Sequence, residues 1–207
     1  KRYIPYFIAL SANSPYFESE NTGLASTRTK IFEGLPNTGI PERLRNYSEF
    51  QKFMRTLIRA NSIESIREIW WDIRPHPGYG TVEIRICDSI PNLRDIKDLT
   101  AFCQALVVGM SNHYDSGTQL PYLDNWILYE NKWRATRYGI DADLIMDEDG
   151  TQISIKDEII NTITNLSPEI NELNLGGSMD RIIQRVKSGH AYYKDQINIF
   201  NKNKDLK

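Results

Sequence analysis

The sequence predicts an α+β fold, and three features carry that reading. Two stretches, 67–74 and 80–88, are strand-like and flank the turn-rich Pro75-His76-Pro77-Gly78-Tyr79, which makes an antiparallel hairpin. A long and fairly apolar helix follows over 92–114. The last quarter then carries short amphipathic helices at 154–165, 167–174, 178–188 and 190–202.

The remaining elements follow in order. Residues 1–12 are apolar and suit a buried strand or a short helix. Residues 13–47, rich in Ser, Thr, Asn, Gly and Pro, read as one long loop, and such loops in compact domains are usually functional or disordered. Ser48-Glu49-Phe50-Gln51 has capping-box form and opens a helix of about 12 residues, with Phe50, Phe53, Met54 and Leu57 on one stripe. Asp124 can cap a further helix running to about 138, and Asp147-Glu148-Asp149-Gly150 is a turn. The chain opens in mid-pattern, at Lys1 before Tyr3-Ile4-Pro5-Tyr6-Phe7-Ile8, so it reads as beginning part-way through a longer protein.

Composition narrows the function classes. With 207 residues, 40% hydrophobic and 25% charged, the chain is ordinary globular protein, enough for one large domain or two small ones. A formal charge of -2 argues against a nucleic-acid binder, which usually shows a basic domain or stripe. Apolar runs such as Ala105-Leu106-Val107-Val108 fall far short of the roughly 20 residues that span a bilayer, and no signal peptide is visible. Cys87 and Cys103 form neither a CxxC pair nor a zinc pattern, so the chain reads as cytoplasmic, with two free thiols. His76, His113 and His190 lack metal-binding spacing. Gly78-x-Gly80-x-x-Glu83 lacks the third glycine of a dinucleotide motif and sits in a hairpin turn, and no GxxxxGK[ST] loop occurs.

The hairpin is the chemical centre of the sequence. Alternation along the strands puts Trp70, Asp72 and Arg74 on one face with Thr81, Glu83, Arg85 and Cys87, while Ile69, Trp71 and Ile73 join Val82, Ile84 and Ile86 on an apolar face. Two readings of the charged face are open. It can be a solvated surface laced with ion pairs, each contributing about 0–1 kcal/mol. It can instead be a roofed cleft in which arginines offer planar forks to phosphate and carboxylates hold Mg²⁺. Asp is poor in strands, and the aromatic flanks favour the cleft. Trp126, Tyr129 and Trp133 have core-stripe spacing first and ligand-wall spacing second. Arg134 and Arg137, three apart on one helix, could both reach one anion or form a solvated basic face.

Four segments in this order and spacing resemble one family. They are Ala9-Leu10-Ser11-Ala12-Asn13-Ser14-Pro15-Tyr16 and Thr22-Gly23-Leu24-Ala25-Ser26-x-Arg28, then Trp70-Trp71-Asp72-Ile73-Arg74-Pro75-His76-Pro77 with Gly80-Thr81-Val82-Glu83-Ile84-Arg85-Ile86-Cys87-Asp88, then Glu130-Asn131-Lys132-Trp133-Arg134-Ala135-x-Arg137-Tyr138-Gly139. Together they are similar to the C-terminal half of the glutamate–cysteine ligase type 2, or carboxylate–amine ligase, family. Phe17-Glu18 departs from the family's Trp-Gly-like continuation.

The resemblance implies a glutamine-synthetase-like antiparallel sheet with helices, here the C-terminal part of a single catalytic domain. Residues 1–150 would supply sheet, lid loop and core helices, and 151–207 a helical tail. It implies an ATP-dependent ligase with Mg²⁺ that joins L-glutamate to L-cysteine, or to another amine, through an acyl phosphate. A non-catalytic nucleotide-binding or structural domain of the same fold is the alternative. The implied catalytic residues are Arg74 and Arg85, the metal ligand is Glu83, and the nucleotide or substrate contacts are Asn13, Ser14, Arg28, Asp72, Arg134 and Arg137. The family's acidic Gly-x-Glu-x-Glu-type metal motif is absent. These residues alone are therefore expected to be inactive without an N-terminal half, and a homodimer is left open.

Overall fold

A computed structural model of the chain describes residues 1–119 and 122–203. In chain order the helices are α1 (Ile4–Ser11), α2 (Thr27–Glu33), α3 (Tyr47–Arg59), α4 (Leu93–Asp115), α5 (Asn125–Tyr138), α6 (Ile155–Asn165), α7 (Ser167–Glu172), α8 (Gly176–Ser188) and α9 (Tyr192–Asn203). The strands are β1 (Tyr16–Phe17), β2 (Glu20–Asn21), β3 (Thr38–Gly39), β4 (Trp70–Trp71), β5 (Ile73–His76), β6 (Thr81–Ile84), β7 (Asp143–Ile145) and β8 (Gln152–Ser154). The class is α+β, with helices dominant. Among the described residues the strands pair only two by two, in place of one continuous sheet. No helix among them is long and apolar enough to cross a membrane.

The chain parts into two compact units, one of Lys1 with Arg28–Cys87 and one of Arg2–Thr27 with the residues from Asp88 onward. In the first unit, α3 is amphipathic and lays its apolar stripe on the strands. Phe50, Ile63, Ile69 and Trp71 form the core, with Phe53, Met54 and Leu57 packed against them. The cap of α3 is Asn46, whose side chain accepts from the Glu49 amide at 3.0 Å, so Ser48 does not fill that role. The capping box lies instead at Ser65 and Glu68, opening a single 3₁₀ turn at Ile66–Glu68. That turn and the break between β4 and β5 replace the continuous strand expected over 67–74. The second predicted strand, 80–88, shortens to β6.

In the second unit α1 is buried on every side, which settles the strand-or-helix question at the start of the chain. It packs on α5 and α6, while α4 packs on α8, and Phe7 stacks on Phe102 at 5.9 Å. Several buried polar and charged groups are paired. Arg181 Nε donates to Asp98 at 2.8 Å, Tyr6 donates to Glu158 at 2.9 Å, and Arg185 reaches both Asp95 at 2.9 Å and the Leu10 carbonyl at 2.6 Å. The expected helices at 92–114 and across 154–202 are present within a few residues of their predicted bounds. The Asp147–Gly150 turn joins a hairpin, β7–β8, not expected from the sequence.

The stretch 13–47 is not one loop. It contains β1, β2, α2 and β3. The register pairs Phe17 with Glu20, so Glu18 and Ser19 alone turn the β1–β2 hairpin, with φ of +48° and +70°. Two residues at positive φ define a type I′ turn, which favours Asn-Gly. Neither Glu nor Ser suits it, and this is the place where Phe17-Glu18 departs from the family pattern.

Two outcomes follow from these features. Ser19→Gly should raise unfolding stability by about 1 kcal/mol in urea titration, by relieving the positive-φ cost. Ile159→Ala, at a fully buried site in α6, should lower it by about 2–5 kcal/mol.

Candidate functional site

The β5–β6 register sets Arg74 directly opposite Glu83, and the Arg85 amide donates to the Asp72 carbonyl at 2.8 Å. The four charges of the hairpin are thereby gathered at one end of the ladder. Arg74 is 7% exposed, buried more deeply than Val82 at 54%. The expected split into a packed apolar face and a charged outer face is corrected accordingly. Ile69, Trp71 and Ile86 are buried as expected, but so are Asp72 and Arg74, while Val82 near the hairpin tip is exposed.

Glu83 is clamped between two guanidinium groups. Arg74 Nε donates to Glu83 Oε2 at 3.0 Å and its Nη2 donates to the same oxygen, while Arg85 Nη1 donates to Oε1 at 2.5 Å. Arg74 Nη1 donates in addition to the carbonyls of Arg67 at 3.0 Å and Ile69 at 3.2 Å. Burial alone would raise the Glu83 carboxyl, but the Arg74 hydrogen bonds and the Arg85 and Arg74 charges outweigh it and hold the group below the usual carboxylate range. The clamp is therefore fully charged at neutral pH and loosens only as pH falls through that lowered value.

Arg28 joins the cluster from α2. Its guanidinium donates to the carbonyls of Arg85 at 3.1 Å and Ile86 at 3.4 Å. Arg28, Arg74 and Arg85 are thus gathered at this end of the hairpin within one unit. Positively charged planar forks in a partly desolvated setting suit a phosphate or carboxylate guest.

Metal binding fits less well. Both Glu83 oxygens accept from guanidinium groups, so two positive charges already sit where Mg²⁺ would have to approach. Among the described residues no group of three or more His, Cys, Asp or Glu could hold an ion. These residues do not by themselves fit a resident metal.

In the other unit, Asn13 and Ser14 have their side chains engaged internally. Asn13 Nδ2 donates to the Ser89 carbonyl at 2.9 Å, and Gln196 Nε2 donates to Asn13 Oδ1 at 2.5 Å. Ser14 Oγ donates to Asp88 at 2.7 Å. Asp88 is the hub of this region. Buried to 6% exposure, it also accepts from the Asn13 amide at 2.8 Å and the Ser26 hydroxyl at 2.8 Å, and its own amide donates to Ser11 Oγ. Asp88 closes the hairpin block in sequence and carries no expected role there. No local signal marks it, since its partners lie more than sixty residues away in the chain.

On α5, Arg134 and Arg137 turn to different partners rather than to one anion. Arg134 binds Glu130 at 3.0 Å, the Asp143 carbonyl at 3.1 Å and Gln152 at 2.8 Å, and Arg137 donates to the Gly23 carbonyl. Trp126, Tyr129 and Trp133 are exposed at 56%, 53% and 40%, so their spacing does not mark a core stripe. The core side of α5 is Ile127, Leu128, Asn131, Lys132, Ala135 and Thr136. Trp133 and Tyr138 instead wall a surface recess of about 340 Å³ that also borders Arg134.

Asp88→Ala should strip two hydroxyls and one amide of their shared acceptor, at about 1–3 kcal/mol for each group left buried and unsatisfied. Hydrogen exchange should then speed up across 13–27 while α6 stays protected; unchanged exchange in 13–27 would contradict the hub.

Comparison with known proteins places the chain. The family model described as glutamate-cysteine ligase family 2 (GCS2) matches residues 1–202. Candidate glutamate–cysteine ligases are similar over nearly all of this chain. The protein so named in Frankia alni is 42% identical over 194 residues, covering 94% of this chain and 51% of its own. That of Thermobifida fusca is 42% identical over 195 residues, covering 94% and 49%, and that of Bdellovibrio bacteriovorus 36% over 204, covering 99% and 54%. The chain spans about half the length of these relatives. With the family match running almost from end to end, the chain belongs to glutamate-cysteine ligase family 2.

Proposed function

We propose that this chain supplies the arginine-rich part of an ATP-dependent carboxylate–amine ligase that joins L-glutamate to L-cysteine. The observation that carries this reading is the Arg74–Glu83–Arg85 clamp with Arg28 beside it, three guanidinium groups held together by fixed hydrogen bonds. The relatives' names support the two amino-acid substrates. A glutamine-synthetase-like sheet, completed by the part of the relatives that this chain does not cover, is the architecture the reading requires.

In the proposed reaction a γ-carboxylate oxygen of glutamate attacks the γ-phosphorus of ATP. The bond to the β–γ bridging oxygen breaks and ADP leaves. The amine nitrogen of cysteine then attacks the acyl carbon, phosphate departs with the bonding pair, and the nitrogen loses a proton to give the amide. ATP and glutamate repel each other, and phosphoryl transfer concentrates charge on oxygens. Arg85 and Arg28 lower both costs by holding anionic oxygens. Glu83 keeps Arg74 and Arg85 in place. A dry site is also needed, because water would hydrolyse the acyl phosphate.

The carboxylates for a magnesium ion must come largely from outside these residues. The chain alone is therefore expected to release no phosphate from ATP. Joined to the remaining half of the family's length, it should form ADP only when glutamate and cysteine are both present. Arg85→Ala in that protein should lower kcat/KM by about 100- to 1,000-fold. ADP formation indifferent to the amine, or to Arg85, would overturn the assignment.

A further inference from the structure

We infer that the recess between α3 and the β5–β6 turn is a binding site for a small, flat aromatic carboxylate. The site lies within the first unit and uses none of the clamp's arginines, so it stands whether or not they bind phosphate.

The recess has a volume of about 440 Å³, within the range of pockets that take small molecules. One wall is α3. Phe50 and Met54 close the core on one side and line the recess on the other, and Tyr47 and Ile58 carry the same stripe outward. The opposite wall comes from Ile66 and, at the hairpin turn, from His76 and Pro77. Tyr47 is 61% exposed and Ile58 42%. Large apolar side chains left open together at a concave place, rather than scattered singly, mark a binding surface.

Aromatic stacks set the shape of the guest. Tyr47 stacks on Phe50 at 5.8 Å with 28° between ring planes, and His76 stacks on Tyr79 at 4.4 Å with 27°. Each wall thus carries one such pair, and a planar ring gains from stacking beyond the area it buries. Met54 between them is flexible enough to fit against a ring.

Charge selects an anion. Among the described residues that line the recess, Arg55 alone carries a full charge. Arg55 is exposed and makes no ion pair among the described residues. Its helix neighbours Lys52 and Arg59, three before and four after, are cations as well. The acid of this helix, Glu49, is already taken by Arg45 at 2.7 Å. The Arg55 fork is therefore open to a carboxylate, which it can hold by two parallel bonds. On the hairpin wall, His76 Nδ1 is buried without a hydrogen-bond partner, an unmet polar group beside the guest. An inorganic anion would leave the apolar walls bare, and an uncharged arene would leave Arg55 unused.

The test is a nitrogen-15 NMR titration of the chain with 2-naphthoate. Amide signals of residues 47–58 and 76–78 should shift and saturate, with a Kd of roughly 0.1–1 mM for a ligand of this size. 2-Naphthamide keeps the shape without the charge and should bind about tenfold more weakly. Octanoate keeps the charge without the ring and should bind about fivefold more weakly. Arg55→Gln should cost about tenfold, and so should Ile58→Glu, which sets a like charge on the rim. Both positions are exposed, so the thermal midpoint should not move. Absence of saturable shifts, equal affinity for the amide or for octanoate, or indifference to Arg55→Gln would each overturn the site. Shifts centred on Arg28 and Arg85, with the recess unmoved, would overturn it too and leave the ligase reading untouched.

Discussion

The arrangement depends on one carboxylate shared by two guanidinium groups. Arg74 is nearly buried, and a buried charge is tolerated only when paired and hydrogen-bonded. Glu83 supplies the countercharge, and the carbonyls of Arg67 and Ile69 satisfy the remaining donors. The same glutamate turns its other oxygen to Arg85, so the ion pair that makes Arg74 tolerable also fixes Arg85. Removing Glu83 would leave two cations without a partner carboxylate. The ladder that places these groups opposite one another is only four residue pairs long. Its rigidity therefore comes from the side-chain clamp and from the small core of Phe50, Ile63, Ile69 and Trp71 behind it.

The second unit solves a different problem with similar means. A Ser- and Asn-rich segment has too little apolar surface to fold by burial, so it is organised around Asp88, which gathers donors from Asn13, Ser14 and Ser26. Gln196 and Arg185, from α9 and α8, brace Asn13 and the end of α1 through the carbonyls of Asn13 and Leu10. The C-terminal helices thus act as scaffolding for this segment. Asn13 and Ser14, named from the sequence as substrate contacts, have side chains engaged in that scaffold.

Much of this was legible in the sequence because it rests on period and local chemistry. The helices from α3 onward announce themselves by apolar stripes and caps, and the β5–β6 hairpin by alternation around Pro77-Gly78, whereas α1 is apolar on every side and α2 lies in a stretch whose polar composition reads as loop. The pairing of Arg74 with Glu83 follows from which residues share a strand face. What was not legible depends on long-range choices. Nothing local decides between Asn46 and Ser48 as the cap of α3, since both can accept from the first turn. The exposed aromatic face of α5 has core spacing, and only the packing of α1 against its other side shows which face is turned inward. Asp88 could not be recognised as a hub because its partners lie more than sixty residues away in the chain. The short β1–β2 and β7–β8 ladders carry too few residues to show a period of two.

The central claim is that the outer guanidinium groups of the hairpin cluster bind anions. It is tested most directly by nitrogen-15 NMR of the arginine Nε–H groups during addition of ADP. The account predicts that the Arg28 and Arg85 signals shift and saturate together, while those of Arg134 and Arg137 stay in place. Shifts confined to the α5 arginines, with Arg85 unmoved, would contradict it.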